Sequence, residues 1–163
     1  MERVFHTIPP IVSPESEILI LGTMPSPKSR ERAFYYAHPQ NRFWPALALA
    51  LGEPLPITNE EKSDLILRHR LALWDVLASC EITGASDASI KNPVPNDIPA
   101  LIASSRIRRV LCTGATSARL YTKLVFPQTK IPCEILPSPS AANARMRLED
   151  LAREYKKVLF IYE

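Results

Sequence analysis

Short apolar runs alternate with long polar or proline-rich stretches along this chain. Ile18–Leu21 is a β-branched run that Gly22 breaks, and Leu71–Leu77, Arg109–Cys112 and Cys133–Leu136 repeat the theme. Apolar runs of this length without strict polar alternation predict strands buried on both faces of a parallel sheet. Between them lie segments with helical density. Phe43–Leu51 ends at Gly52, a helix stop, and Pro45 fits only a first turn, which places the start near Gln40 or Asn41. Asn59–His69 starts at Thr58 or Asn59, with acids early and bases late, as the helix dipole favours. Further helices are expected from Asn96 or Asp97 through Ser104, over Ala115–Leu124 after the Thr113-Gly114 turn, and over Leu148–Tyr155. Val158–Tyr162 (VLFIY) predicts a closing strand, and Met1–Ser16, with Pro9, Pro10 and Pro14, predicts an extended leader pinned by Phe5, Ile8 and Ile11.

Strand, loop and helix in repetition predict a single α/β domain over residues 1–163. The expected architecture is three-layer α/β/α around a central four-stranded, mainly parallel sheet. Such sheets bind ligands at the carboxyl ends of their strands, where strand order reverses. Those ends carry GTMPSP from Gly22, a polar segment from Ser79 to Asn96 with the composition of a loop, TGAT from Thr113, and LPSPSAANA from Leu136. Three of the four are rich in the residue types that offer hydroxyls and backbone N–H groups to phosphates. The segment after Gly22 is a second long loop, and Phe34, Tyr35, Tyr36, Phe43 and Trp44 give it the apolar area to be ordered.

Composition narrows the classes. Sixteen prolines against four glycines predict stiff loops. A net charge of +3 permits a polyanionic partner without demonstrating one. Three cysteines without a CxxC pair, and three histidines without zinc spacing, predict a reducing compartment and no metal cluster or other cofactor. The N-terminus lacks the pattern of a signal peptide, and no apolar run approaches a membrane span, so the expectation is a soluble, cytoplasmic monomer.

With these residues in view, the chain resembles the uracil-DNA glycosylase superfamily. Gly22-Thr23-Met24-Pro25-Ser26 is similar to its first motif, and Pro137-Ser138-Pro139-Ser140-Ala141-Ala142-Asn143 to its second, the minor-groove and phosphate loop. The insert from Ala33 to Pro45 (AFYYAHPQNRFWP) is similar to mismatch-specific and hypoxanthine-DNA glycosylases; Leu73–Leu77, Cys80-Glu81 and Thr113–Ala115 add to the match. Several branches carry an Asp or Asn in the first motif to handle the attacking water. Here Thr23, Met24 and Ser26 stand instead, as in the hypoxanthine-type branch, whose later Asn matches Asn41.

The resemblance implies hydrolysis of the N-glycosidic bond of a deaminated base flipped out of DNA, hypoxanthine foremost and uracil or xanthine besides. It implies Asn41 as the catalytic residue, and Gly22, Thr23, Met24, Pro25, Tyr36, His38 and Phe43 around the base. It implies Ser26, Ser138, Ser140, Ala141, Asn143 and Arg145 against DNA. The residues alone leave alternatives open. An Asn just before FWPAL is also a helix cap; Phe34, Tyr35 and Tyr36 can stack on a base or merely fasten the loop; PSPS is also a plain turn. Asp75 reads as a structural or a catalytic carboxylate, and Asp87 as a solvated turn. Lys28, Arg30, Arg32, Arg42, Arg145 and Arg147 follow carboxyl strand ends and should share one face, with Arg106, Arg108 and Arg109 on the opposite one. Two rival functions remain: a phosphate-binding or nucleic-acid-binding module without catalysis, and a small-molecule nucleoside hydrolase.

Overall fold

The computed structural model describes residues 1–161. Its strands are β1 (Glu2–Phe5), β2 (Ile18–Gly22), β3 (Leu71–Asp75), β4 (Leu77–Ile82), β5 (Lys91–Pro95), β6 (Arg109–Thr113) and β7 (Cys133–Leu136). Four of them form a parallel sheet in the order β3-β2-β6-β7. The chain winds from β2 outward to β3, then returns to the other side of β2 with β6, so strand order reverses between β2 and β6. All four carboxyl ends meet at one edge.

Alternation along these strands builds two cores. Ile20, Leu73 and Leu111 face one side, where α2 (Phe43–Leu51), α3 (Asn59–Arg68) and α7 (Leu148–Leu159) cover them. Leu19, Leu21, Ala72, Val110 and Cys112 face the other, covered by α4 (Ile98–Ala103), α5 (Ala115–Leu124), the short α6 (Phe126–Thr129) and a second sheet. Burial on both faces is why β2 and β6 read as unbroken apolar runs. The helix boundaries follow local chemistry. α3 carries a reciprocal capping box between Thr58 and Glu61, and α2 stops at Gly52, whose φ of 68° lets its N–H close on the Ala48 and Leu49 carbonyls. No helix among the described residues is long and apolar enough to cross a membrane.

Four expectations change. Most of the segment from Ser79 to Asn96 is not a loop: β4 pairs antiparallel with both β1 and β5, giving a second sheet in the order β1-β4-β5. β5, KNPVP, is an exposed edge strand, where proline is tolerated because no neighbour needs its missing N–H. The leader is tied in as well, since Arg3 donates to Ser79 Oγ at 2.7 Å and to the Asn92 carbonyl at 2.9 Å. Inside the loop after Gly22, Ser26 caps a short helix, α1 (Pro27–Arg32), by accepting the Ser29 N–H. At the C-terminus, Val158 and Leu159 prolong α7 instead of forming a strand, because Leu159 continues the helical stripe of Leu151, Ala152 and Tyr155; Tyr162 lies outside the described residues. α2 begins at Phe43, two to three residues after the expected start near Gln40 or Asn41.

Candidate active site

Where strand order reverses, a cleft of about 190 Å³ opens at the ends of β2 and β6. Gly22, Thr23, Met24, Pro25 and Ser26 line it from the first strand end, Thr113 from β6, and Ser138, Pro139 and Ser140 from the loop after β7. Tyr36 and Asn41 reach it from the aromatic insert, and Asp75, Gly84, Ala85 and Asp87 from β3 and the β4–β5 hairpin. Two backbone segments far apart in sequence are clasped here. The Arg42 N–H donates to the Pro139 carbonyl at 3.0 Å, and the Arg42 guanidinium donates to the carbonyls of Ser140 and Asn143, at 2.9 Å each, and of Met146. Arg42 is therefore a strut inside the second motif, not part of the cationic face expected from the sequence.

Asp75 forms the floor. Its side chain is 6% exposed, and its Oδ2 lies 2.8 Å from Nε2 of His6, itself 1% exposed. Asp75 stands directly across from Gly22 in the strand register. A Cβ on Gly22 would fall 2.4 Å from Asp75 Oδ1 and 3.0 Å from the Tyr36 hydroxyl oxygen, so the glycine is required for space. Tyr36 occupies the left-handed region at φ 51°, a costly conformation for a bulky residue. It is held there by a stack on Phe43, with centroids 4.1 Å apart, and by a 3.1 Å bond to Thr113 Oγ1. Thr113 donates its own hydrogen to the Leu21 carbonyl, so the Tyr36 hydroxyl is the donor in that pair. Burial, and then the charge of Asp75, hold the Tyr36 phenol protonated far above its ordinary range.

Asn41 lies one residue before the cap position of α2, and its Oδ1 accepts the Phe43 N–H at 2.9 Å. That bond fixes the amide plane and the identity of its oxygen. Among the described residues no acceptor takes its Nδ2 hydrogens. In the loop after β7, Ser138 Oγ accepts the Ser140 N–H and Ser140 Oγ accepts the Ala142 N–H, while Asn143 Nδ2 donates to the Ser138 carbonyl. Each serine hydroxyl spends an acceptor site on the loop and keeps its hydrogen to donate outward.

Other sequence candidates fall outside the lining. Phe43 is fully buried behind Tyr36. His38 is exposed, and its Nδ1 accepts the Gln40 N–H in a local turn. Phe34 stacks on Trp44, and Tyr35 donates to the carbonyls of Ile8 and Pro9, so these two fasten the insert. Ala141, Asn143 and Arg145 lie beyond the cleft, on or just after the loop that presents Ser138 and Ser140. At the opposite end of the sheet, Arg109 bridges Glu134 with bonds of 2.9 and 2.8 Å, and Arg70 and Arg108 hold Glu17, whose carboxyl they keep below its ordinary value. Sequence reasoning missed His6 altogether, and it read Asp87 as a solvated turn. Among the described residues no three His, Cys, Asp or Glu side chains converge as metal ligands.

The family model of the uracil DNA glycosylase superfamily matches residues 9–160. The chain belongs to that superfamily. It is 34% identical over 138 residues to a hypoxanthine DNA glycosylase of Methanosarcina acetivorans, covering 84% of this chain and 87% of the relative. It is 32% identical over 139 residues, with the same coverage, to a hypoxanthine DNA glycosylase of Methanosarcina barkeri. Its fold is similar to the solution NMR structure of a candidate uracil DNA glycosylase from Methanosarcina acetivorans, with a TM-score of 0.80 at 28% identity over 93% of this chain and 94% of that one. Membership in this superfamily agrees with a fold whose two motifs face each other across one cleft.

Proposed function

We propose that this protein is a monofunctional DNA glycosylase that hydrolyses the N-glycosidic bond of a deaminated base, hypoxanthine above all, flipped out of DNA. The observation that carries the reading is Asn41: an amide locked by the Phe43 N–H, with its donors free at a cleft between the two superfamily motifs. Breaking the bond leaves negative charge on the purine, and a preorganised donor that meets this charge is worth roughly 10²–10³ in rate. Asn41 Nδ2 supplies that donor. The rim of the cleft frames the base: Gly22, Thr23, Met24 and Pro25 bound it on the β2 side, and Tyr36, whose other ring face is covered by Phe43, offers its remaining face for stacking.

Ser138 and Ser140 point donors at the backbone flanking the flipped nucleotide, Ser26, whose hydroxyl is spent on Ser29, bounds the DNA path beside them, and Arg145 adds charge from the same side. Ala141, exposed and small, is the residue of this loop that enters the minor groove, with Asn143 bracing it from behind. Neither motif contains a lysine, so the enzyme leaves an intact abasic site. Phe43 acts through Tyr36, and His38, exposed in the insert, contacts the DNA backbone rather than the base.

The test is a panel of duplexes that each carry one hypoxanthine, uracil or xanthine, assayed for alkali-labile sites. Hypoxanthine should be released fastest. Tight duplex binding with no base release would favour the non-catalytic module, and release from free nucleosides would favour the nucleoside hydrolase.

A further inference from the structure

Asn41 meets only half of the chemistry. One lone pair of its Oδ1 is taken by the Phe43 N–H, and an amide oxygen is too weak a base to take a proton from water. Something else must balance the positive charge that develops on the sugar and receive the water's proton. Two carboxylates line the cleft. Asp75 is buried in the floor with one oxygen committed to His6. Asp87, carried by the β4–β5 hairpin, is exposed at the mouth, and among the described residues its carboxyl takes no hydrogen bond.

The two walls of the cleft differ in chemistry, neutral donors on one and carboxylates on the other. Donors lie on the β7 side, where Asn41, Ser138 and Ser140 are clasped together through Arg42 and Pro139. Acids lie on the β3 side. A nucleotide whose phosphates and departing base face the donors turns its sugar toward the acids.

We propose that Asp87 is a catalytic residue of this cleft, whose carboxylate stabilises the cationic sugar and accepts the proton of the attacking water. The assignment rests on the glycosylase reading above. In the step, the C1′–N9 bond breaks and its electron pair leaves with the purine. A water oxygen bonds to C1′; one of its protons passes to Asp87 and on to solvent, and the purine anion takes a proton from solvent.

The ionisable groups around Asp87 are Asp75 with its partner His6, Cys80 on β4, and the guanidiniums of Arg3 and Arg30 that act on Cys80 together with it. Partial desolvation where the carboxyl faces into the cleft, and then the charge of Asp75, lift the Asp87 carboxyl above its ordinary value, although the residue as a whole stays open to solvent at the mouth. The basic form therefore fills only as pH rises past that lifted value, and excision should climb along an acid limb that belongs to Asp87.

Single-turnover excision from a deoxyinosine duplex, followed from acid to neutral pH, tests this in the wild-type chain, in Asp87→Asn and Asp87→Glu, and in Asp64→Asn, a change of equal charge on the exposed face of α3. Asp87→Asn should excise roughly 10²-fold or more slowly and lose the acid limb. It should bind the duplex as tightly as the parent or more so, because a negative charge has left a DNA-facing cleft. Asp87→Glu should keep the limb, and Asp64→Asn should match the parent. Parent-rate excision by Asp87→Asn would overturn the assignment, as would an Asp87→Glu variant as slow and pH-flat as Asp87→Asn. A wild-type chain that frees no base overturns the glycosylase reading first, and this assignment with it.

Discussion

Gly22→Ala is the smallest change that should damage both fold and site. Its Cβ would sit 2.4 Å from Asp75 Oδ1, about 0.9 Å inside the ~3.3 Å at which carbon and oxygen ordinarily touch. Asp75 cannot simply swing away, because it is buried, paired across the strand with Gly22 and bonded to His6. Either β2 and β3 part or the His6 bond is lost. Overpacking of this kind costs about 1–3 kcal/mol, and loss of a charge-assisted buried bond adds a similar amount, so a total of roughly 2–6 kcal/mol is expected. For a chain of this size that corresponds to a fall in Tm of roughly 5–25 °C. Urea denaturation should show a lower midpoint at an unchanged slope. In an Asp75→Ala background the tightest contact is gone and only the 3.0 Å approach to the Tyr36 hydroxyl remains, so the same substitution should cost no more than about 1 kcal/mol, a coupling that a double-mutant cycle reads directly. Equal costs in the two backgrounds would refute the steric account, as would a Gly22→Ala protein that melts within about 2 °C of the parent.

Binding to a lesion duplex should fall steeply with salt. Arg145→Ala or Arg147→Ala should weaken it for every sequence and reduce the salt slope by about one, whereas Arg108→Ala, whose guanidinium is held by Glu17 at the far end of the sheet, should change neither. A larger effect from Arg108 would mean that the DNA-binding edge has been misassigned. Borohydride added during turnover should trap no covalent enzyme–DNA complex, since neither cleft motif contains a lysine; a trapped band on a denaturing gel would contradict the hydrolytic reading.

The parallel sheet was legible because β2 and β6 are buried apolar runs, and they and the partly exposed edge strand β7 appear within a residue of their expected limits. Their carboxyl ends then led to the first motif and to PSPS, which the fold brings to one cleft. The second sheet was hidden for a physical reason: β5 carries two prolines and little apolar area, and β1 buries only Val4, so neither shows a clear period of two. The start of α1 was in fact signalled by Ser26-Pro27, a cap followed by proline at the first helical position, but the surrounding charge and proline masked it. VLFIY misled because its β-branched content suggests a strand while packing draws Val158 and Leu159 into the helical stripe of α7. In the site, Asn41 could be named from the chain. His6 could not, because its partner Asp75 lies 69 residues away and only the antiparallel sheet brings the leader beneath the cleft. Asp87 was passed over for the same reason, since a hairpin tip reads like any polar turn until the cleft beneath it is known.

Free hypoxanthine released from a deoxyinosine duplex under single-turnover conditions, by the wild-type chain and by Asn41→Asp, tests the central claim most directly. An aspartate keeps an oxygen for the Phe43 N–H, so Asn41→Asp should melt within about 1 kcal/mol of the parent in stability. The wild-type chain should release the base, and Asn41→Asp should do so at least about 10²-fold more slowly, because it replaces a donor to the departing anion with a second negative charge. No free base from the wild-type chain, or release by Asn41→Asp at the parent rate, would contradict the account.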